Sequence, residues 1–137
     1  MNAIFADTSY WIALANVQDE AHEIASAFSL SLKSFPILTT EPVLVEYLNY
    51  FAGWGPHFRR AAALTVDAIS ASQNVRILPH TNEVFSVGLK LYRARPDKGY
   101  SLTDCISMHI MRQEGLTDAL TNDRHFEQEG FRALFQR

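Results

Sequence analysis

The sequence holds a single cysteine, Cys105, in 137 residues. One thiol excludes an internal disulfide and suits a reducing, cytoplasmic compartment. Apolar runs are short, and none approaches the ~20 residues of a membrane-spanning helix. The opening MNAIFADTSYW lacks a basic stretch and meets an acid at Asp7, so it does not read as a secretory signal. Basic residues are not in excess: 12 Lys and Arg stand against 15 Asp and Glu, a formal net charge of -3. That balance argues against coating nucleic acid through bulk positive charge, and leaves room for a local basic patch beside an acidic site. Repeats, low-complexity stretches and long linkers are also missing, which leaves a single domain over 1–137.

What is present suits a folded chain. Hydrophobic residues make up 47% and charged ones 20%, enough at this length for one ordinary core. Residues 2–6, NAIFA, read as a short buried strand bounded by Asp7. Helical patterns follow over 8–17 and 21–34, and Pro36 opens a second strand, PILTT. Thr40 is placed to cap a helix over 41–54, with Pro42 tolerated in its first turn. Helix 57–72, strand 75–78, helix 82–95 capped by Thr81, and a loop over 95–100 come next. An apolar helix over 102–114, a strand over 118–121, a helical turn over 124–129 and a last strand over 131–135 complete the pattern. Alternating strands and helices predict a parallel sheet with helices on both faces.

Helix 41–54 is apolar over a wide sector. Leu44, Leu48 and Phe51 form a core stripe, while Glu46 and Asn49 share a different sector. Val43, Tyr47, Tyr50 and Trp54 form an adjoining stripe with two readings side by side. Either it meets another protein, a second copy or an inhibitor, or an internal helix covers it.

Four acids fall where one edge of such a sheet gathers residues. Asp7 ends the first strand, Glu46 lies in the helix after the second, Asp104 opens helix 102–114, and Asp123 ends the fourth strand. Ligands of open α/β sheets bind at that carboxyl edge. Each acid also has an ordinary reading: Asp7 as a helix cap, Ser101-x-x-Asp104 as a capping box, Asp123 as an Asx-turn, Glu46 as a solvated helix residue. Together they point further. Clustered carboxylates repel one another, and a divalent cation compensates them. Oxygen donors without Cys or His suit Mg²⁺ or Mn²⁺. Such ions activate water against a phosphodiester and stabilise the leaving oxygen.

These segments resemble a known family. ADTSYWIAL with Asp7 and Ser9, PVLVEYLN with Glu46, YSLTDCISMHIM with Ser101 and Asp104, and ALTNDRHF with Thr121, Asp123 and Phe126 look like a PIN-domain ribonuclease of the VapC toxin type. The resemblance covers essentially the whole chain. It implies a three-layer α/β/α fold around a parallel sheet of about four to five strands. It also implies a metal site of Asp7, Glu46, Asp104 and Asp123, with Ser9, Ser101 and Thr121 holding carboxylates or water. Metal-dependent RNA hydrolysis by a toxin with a cognate antitoxin follows from the same likeness. An interaction module on the same fold, or a nuclease acting on another nucleic acid, is the alternative. An aspartate-nucleophile phosphatase fits less well, because Ser9 stands where a second Asp would be wanted.

Other residues weigh less. Cys105 reads as a small buried side chain rather than a nucleophile, His109 as a core or edge residue, and Trp11 as core. His125 is near enough to touch a phosphate but reads as an ordinary polar residue. Arg124 is the leading candidate for an RNA contact, with Lys98 and Arg95 behind it and Arg59, Arg60 and Arg93 as further basic residues. Scattered solvated charge explains each of them equally well.

Overall fold

Strands and helices alternate through residues 3–135, which the computed structural model describes. They are β1 (Ile4–Ala6), α1 (Thr8–Ala15), α2 (His22–Ser31), β2 (Ile37–Thr40), α3 (Glu41–Phe51) and α4 (Pro56–Ala71). After these come β3 (Val75–Leu78), α5 (Asn82–Ala94), α6 (Leu102–Gln113), β4 (Asp118–Leu120), α7 (Arg124–Gln128) and β5 (Arg132–Ala133). The sheet has five strands in the order β3-β2-β1-β4-β5, and every neighbouring pair is parallel. This is the expected α/β/α arrangement. Right-handed crossovers put α1 to α4 on one face and α5 to α7 on the other.

The chain winds outward from β1 through β2 to β3, then returns to lay β4 on β1's other side. The β1–β4 boundary is therefore the switch point where a crevice opens beyond the strand ends. Phe5 pairs with Ala119 and Ala6 with Leu120 there, so both strands stop level with each other. The central strands are apolar because both their faces are covered: Phe5, Ala6, Ile37, Leu38, Ala119 and Leu120 are all buried.

The two buried threonines of β2 are satisfied locally. Thr39 Oγ1 donates to Ala6 O (2.9 Å) and accepts from Trp11 Nε1 (3.3 Å). Thr40 Oγ1 accepts from Val43 N (3.2 Å) and so caps α3, as its position implied. Thr81 caps α5 in the same way.

Two expectations need correction. Strand β5 keeps only two residues of the predicted 131–135, although Phe131 and Phe135 on either side are buried. Asn2, assigned to the first strand, lies outside the described residues. The larger correction concerns α3, whose expected core stripe is only partly covered. Val43, Leu44, Tyr47 and Phe51 are buried, and α4 packs against this helix. Leu48, read as core, is 36% exposed, and Val45 beside it is more open still. Internal cover thus accounts for Val43 and Tyr47, but Tyr50 and Trp54 stay 42% and 41% exposed.

Helices α5 and α6 make the closest helix pair. A Cβ on Gly88 would stand 2.5 Å from Ile106 Cγ1, and Ile106 is itself buried. We expect Gly88→Ala to destabilise the protein by about 1–2 kcal/mol, because overpacking outweighs the ~1 kcal/mol gain in helix propensity. Urea denaturation measures this directly. A stabilised variant would show that α6 can retreat from α5 at little cost.

Candidate active site

A cleft of about 900 Å³ lies over the carboxyl ends of β1 and β4. Asp7, Glu46, Asp104 and Asp123 all line it, together with Ser9, Ser101 and Arg124. Each acid arrives by a different route. Asp7 is the residue after β1. Asp123 follows β4 and caps α7, its Oδ1 accepting from His125 N at 2.9 Å. Glu46 projects from the half-exposed side of α3. Asp104 is held in a reciprocal capping box at the start of α6. Its N–H donates to Ser101 Oγ and its Oδ2 accepts from Ser101 N, both at 3.0 Å. Capping and site membership coincide at that residue.

Asp7 is the buried centre. It stands at the N-cap of α1, but its side chain makes no capping bond, so the cap reading does not describe it. Thr121 Oγ1 instead donates to Asp7 Oδ2 (2.8 Å) and accepts from Asp123 N (3.0 Å). Thr121 has one hydroxyl hydrogen, which Asp7 takes. Ser9 Oγ, 3.1 Å from Thr121 Oγ1, is therefore the donor in that contact. Asp7 Oδ1 is buried with no hydrogen-bond partner. Burial, and then the charge of Asp104, push the Asp7 carboxyl up to about 7. Burial also raises Asp104, with Asp123 and Glu46 adding to it.

We expect Thr121→Val to cost about 2 kcal/mol and to lower activity roughly ten- to a hundredfold. It deletes a hydrogen bond to a buried charge and leaves the Asp123 amide unpaired. Thr121→Ser should recover most of both. Equal losses in the two variants would mean that the methyl group, not the hydroxyl, matters.

His125, weighed in the sequence as a phosphate contact but read as an ordinary polar residue, stands among the acids. Its Nδ1 stands 3.2 Å from Asp123 Oδ1 and 3.5 Å from Asp104 Oδ2, aligned as a hydrogen bond with neither. Among the described residues, the atoms that fit one ion most tightly are those of Asp104, Asp123 and His125, within 4.8 Å of one another. Asp7 and Glu46 share the cleft but fall outside that tight group. The signal was the Asp-x-His spacing: the turn that Asp123 caps brings the imidazole back over the carboxylate.

A second unannounced feature sits behind His125. Glu129 is nearly buried and takes three donors: Arg95 Nε (2.8 Å), Arg112 Nη2 (2.8 Å) and Tyr100 Oη (2.9 Å). Burial alone would raise Glu129, but these hydrogen bonds outweigh it and hold the carboxyl down at about 2. The Tyr100 ring then packs edge-on against His125, with centroids 5.1 Å apart. Arg95, expected near RNA, is thus committed to Glu129. Lys98 sits 3.9 Å from Asp97 and does not line the cleft. Arg124 is exposed on the cleft's rim.

Cys105 is fully buried, and its thiol is pushed up to about 11 by burial and then by Asp104, so it stays neutral and inert. The cleft therefore offers clustered carboxylates, one imidazole and an orphaned carboxylate oxygen. No Lys or Arg pairs with any of the four acids among the described residues. Such a donor set fits a divalent cation, which would give Asp7 Oδ1 the partner it lacks.

Comparison with known proteins agrees with this architecture. The chain is 31% identical over 131 residues to the 23S rRNA-specific endonuclease VapC20 of Mycobacterium tuberculosis, in strains H37Rv and CDC 1551. That alignment covers 93% of this chain and 95% of the relative. The crystal structure of M. tuberculosis VapC20, a sarcin-ricin loop cleaving toxin, matches with a TM-score of 0.85 at 29% identity, covering 96% of this chain and 98% of that one. The family model for the PIN domain spans residues 4–131, from β1 to the residue before β5, and the chain belongs to that family.

Proposed function

We propose that this protein is a Mg²⁺- or Mn²⁺-dependent endoribonuclease and the toxin of a type II toxin–antitoxin pair. The observation that carries the reading is the orphaned Asp7 Oδ1, buried beside other carboxylates in an open cleft. A fold that holds this cluster without a cation of its own is built to receive one. Asp104 and Asp123, whose oxygens lie close together, would hold the ion with Asp7 beside them, and Glu46 would complete the anionic wall. When bound, it would supply Lewis acidity, easing deprotonation of water and stabilising charge on the leaving oxygen.

The chain's own groups do the rest. Thr121 fixes the Asp7 carboxylate with Ser9 supporting its hydroxyl from behind, and the Ser101–Asp104 capping box fixes the second. Arg124 on the rim draws in the phosphodiester backbone. His125, braced by Tyr100, sets the separation of Asp104 and Asp123. RNA as substrate and a cognate antitoxin as partner are supported by the likeness to VapC20. The exposed Val45 and Leu48 on α3 give a protein partner, the antitoxin or a second copy, an apolar place to land.

Purified protein should cleave RNA when Mg²⁺ or Mn²⁺ is present and stop when the ion is chelated. Calorimetry should show metal binding that weakens in Asp123→Asn. Cleavage that persists in excess chelator, with contaminating nuclease excluded, would falsify metal dependence.

A further inference from the structure

One wall of the cleft continues into a row of rings. Tyr50 lines the cleft beside Glu46 and Asn49. Its ring lies 5.3 Å from Trp54, and Trp54 lies 5.2 Å from Phe58. All three are exposed by about two fifths, and Phe51, which is buried, touches each of them from below. The row is fixed before any ligand arrives. Gly55, at φ +96°, makes the tight turn that swings Phe58 at the start of α4 back toward Trp54.

Beyond Glu46, the stretch of chain that carries this row is one-sided in charge. Between Glu46 and Asp67 there is no acid, while His57, Arg59 and Arg60 all lie there. This positive stretch is conspicuous in a chain of net charge -3. Arg59 is held in place beside the row, its Nη1 donating to Ala52 O at 3.0 Å. Solvent-facing rings interleaved with cations suit single-stranded nucleic acid, whose bases stack while its phosphates pair.

We propose that Tyr50, Trp54 and Phe58 form a stacking subsite for unpaired bases of the RNA strand flanking the bond to be cut, with Arg59 on its phosphates. The proposal rests on the nuclease reading of the cleft, and it assigns the path by which the strand leaves that cleft. A pre-formed platform orders bases at small entropic cost, so it sets affinity and register rather than the rate of bond breaking.

The two tryptophans make a direct test. Trp11 is buried against Thr39, so quenching by added ligand reports Trp54. Single-stranded oligouridylate added to metal-free protein should quench the emission, whereas base-free polyphosphate should not. Trp54→Ala and Phe58→Ala should each weaken oligouridylate binding about tenfold, and Trp54→Phe should restore most of it. Arg59→Glu should flatten the salt dependence by about one phosphate contact. KM for RNA should rise in the ring variants, with hydrolysis of bis(p-nitrophenyl) phosphate unchanged. No quenching, or unchanged affinity in both ring variants and Arg59→Glu, overturns the subsite. So does sedimentation showing a dimer that Trp54→Ala dissolves while RNA affinity stays the same. Binding with quenching but no metal-dependent cleavage would overturn the nuclease reading and leave the subsite standing. Cleavage with KM unmoved by both ring variants would do the reverse.

Discussion

Asp104→Asn is expected to lower RNA cleavage by about a hundredfold or more while the protein stays folded. The two halves of that result separate the residue's two duties. As the acidic member of the capping box, Asp104 accepts from Ser101 N, and an asparagine oxygen can accept the same bond. As the proposed cation ligand it would contribute charge and a second anionic oxygen, and an amide has neither. Steady-state cleavage of a defined RNA, with circular dichroism as the control for folding, reads both. Wild-type turnover in the variant would reduce Asp104 to a helix cap and remove it from the chemistry.

The second large effect is a stability profile that runs against the usual carboxylate behaviour. The Asp7 carboxyl rises from 3.8 to about 7 in the folded state, so the native protein holds a proton that the unfolded chain has released. Stability of the metal-free protein must then fall as pH rises between ~4 and ~7, by on the order of 4 kcal/mol if Asp7 acts alone. The full stability is present below the unfolded value and is lost above the folded one. Asp104, raised in the same direction, adds to the slope.

Asp7→Asn should flatten this profile and leave the metal-free protein more stable than wild type at pH 8. Added Mg²⁺ or Mn²⁺ should stabilise wild type by about 2.7 kcal/mol at a hundredfold excess over Kd, and the variant by much less. Thermal melts across pH, with chelator and with metal, decide the matter. Equal metal shifts in both proteins would place the ion away from Asp7.

Much of the site was legible because it is written in chain punctuation. Asp7 and Asp123 each follow a short apolar strand, and Ser101 and Asp104 carry the spacing of a capping box. Once the strands are parallel, sharing a carboxyl edge is a consequence of topology. Local chemistry also gave Thr40 and Thr81 as caps, since a threonine before an apolar helical run has few other uses.

What stayed hidden depends on contacts between distant residues. Arg95, Tyr100, Arg112 and Glu129 converge without any periodic spacing, so the charge chosen for RNA turned out to hold the fold. Leu48 looked like core because periodicity shows that a helix has apolar faces, not how many of them are covered. His125 was undervalued for a similar reason. Its place depends on a five-residue helix whose first turn is set by Asp123.

The β1–β4 pairing also governs when the molecule can act during its synthesis. Asp7 leaves the ribosome early, but Thr121, which orients it, lies 114 positions later. Until then β1 has a partner on one side only, and Asp104 lacks Asp123 as a neighbour. A growing chain can build β1, β2 and β3 with their helices, yet it holds no complete carboxylate cleft. A chain ending anywhere before β4 lacks both Thr121 and Asp123, so it cannot close that cleft. The cleft is completed only when β4 comes to lie beside β1.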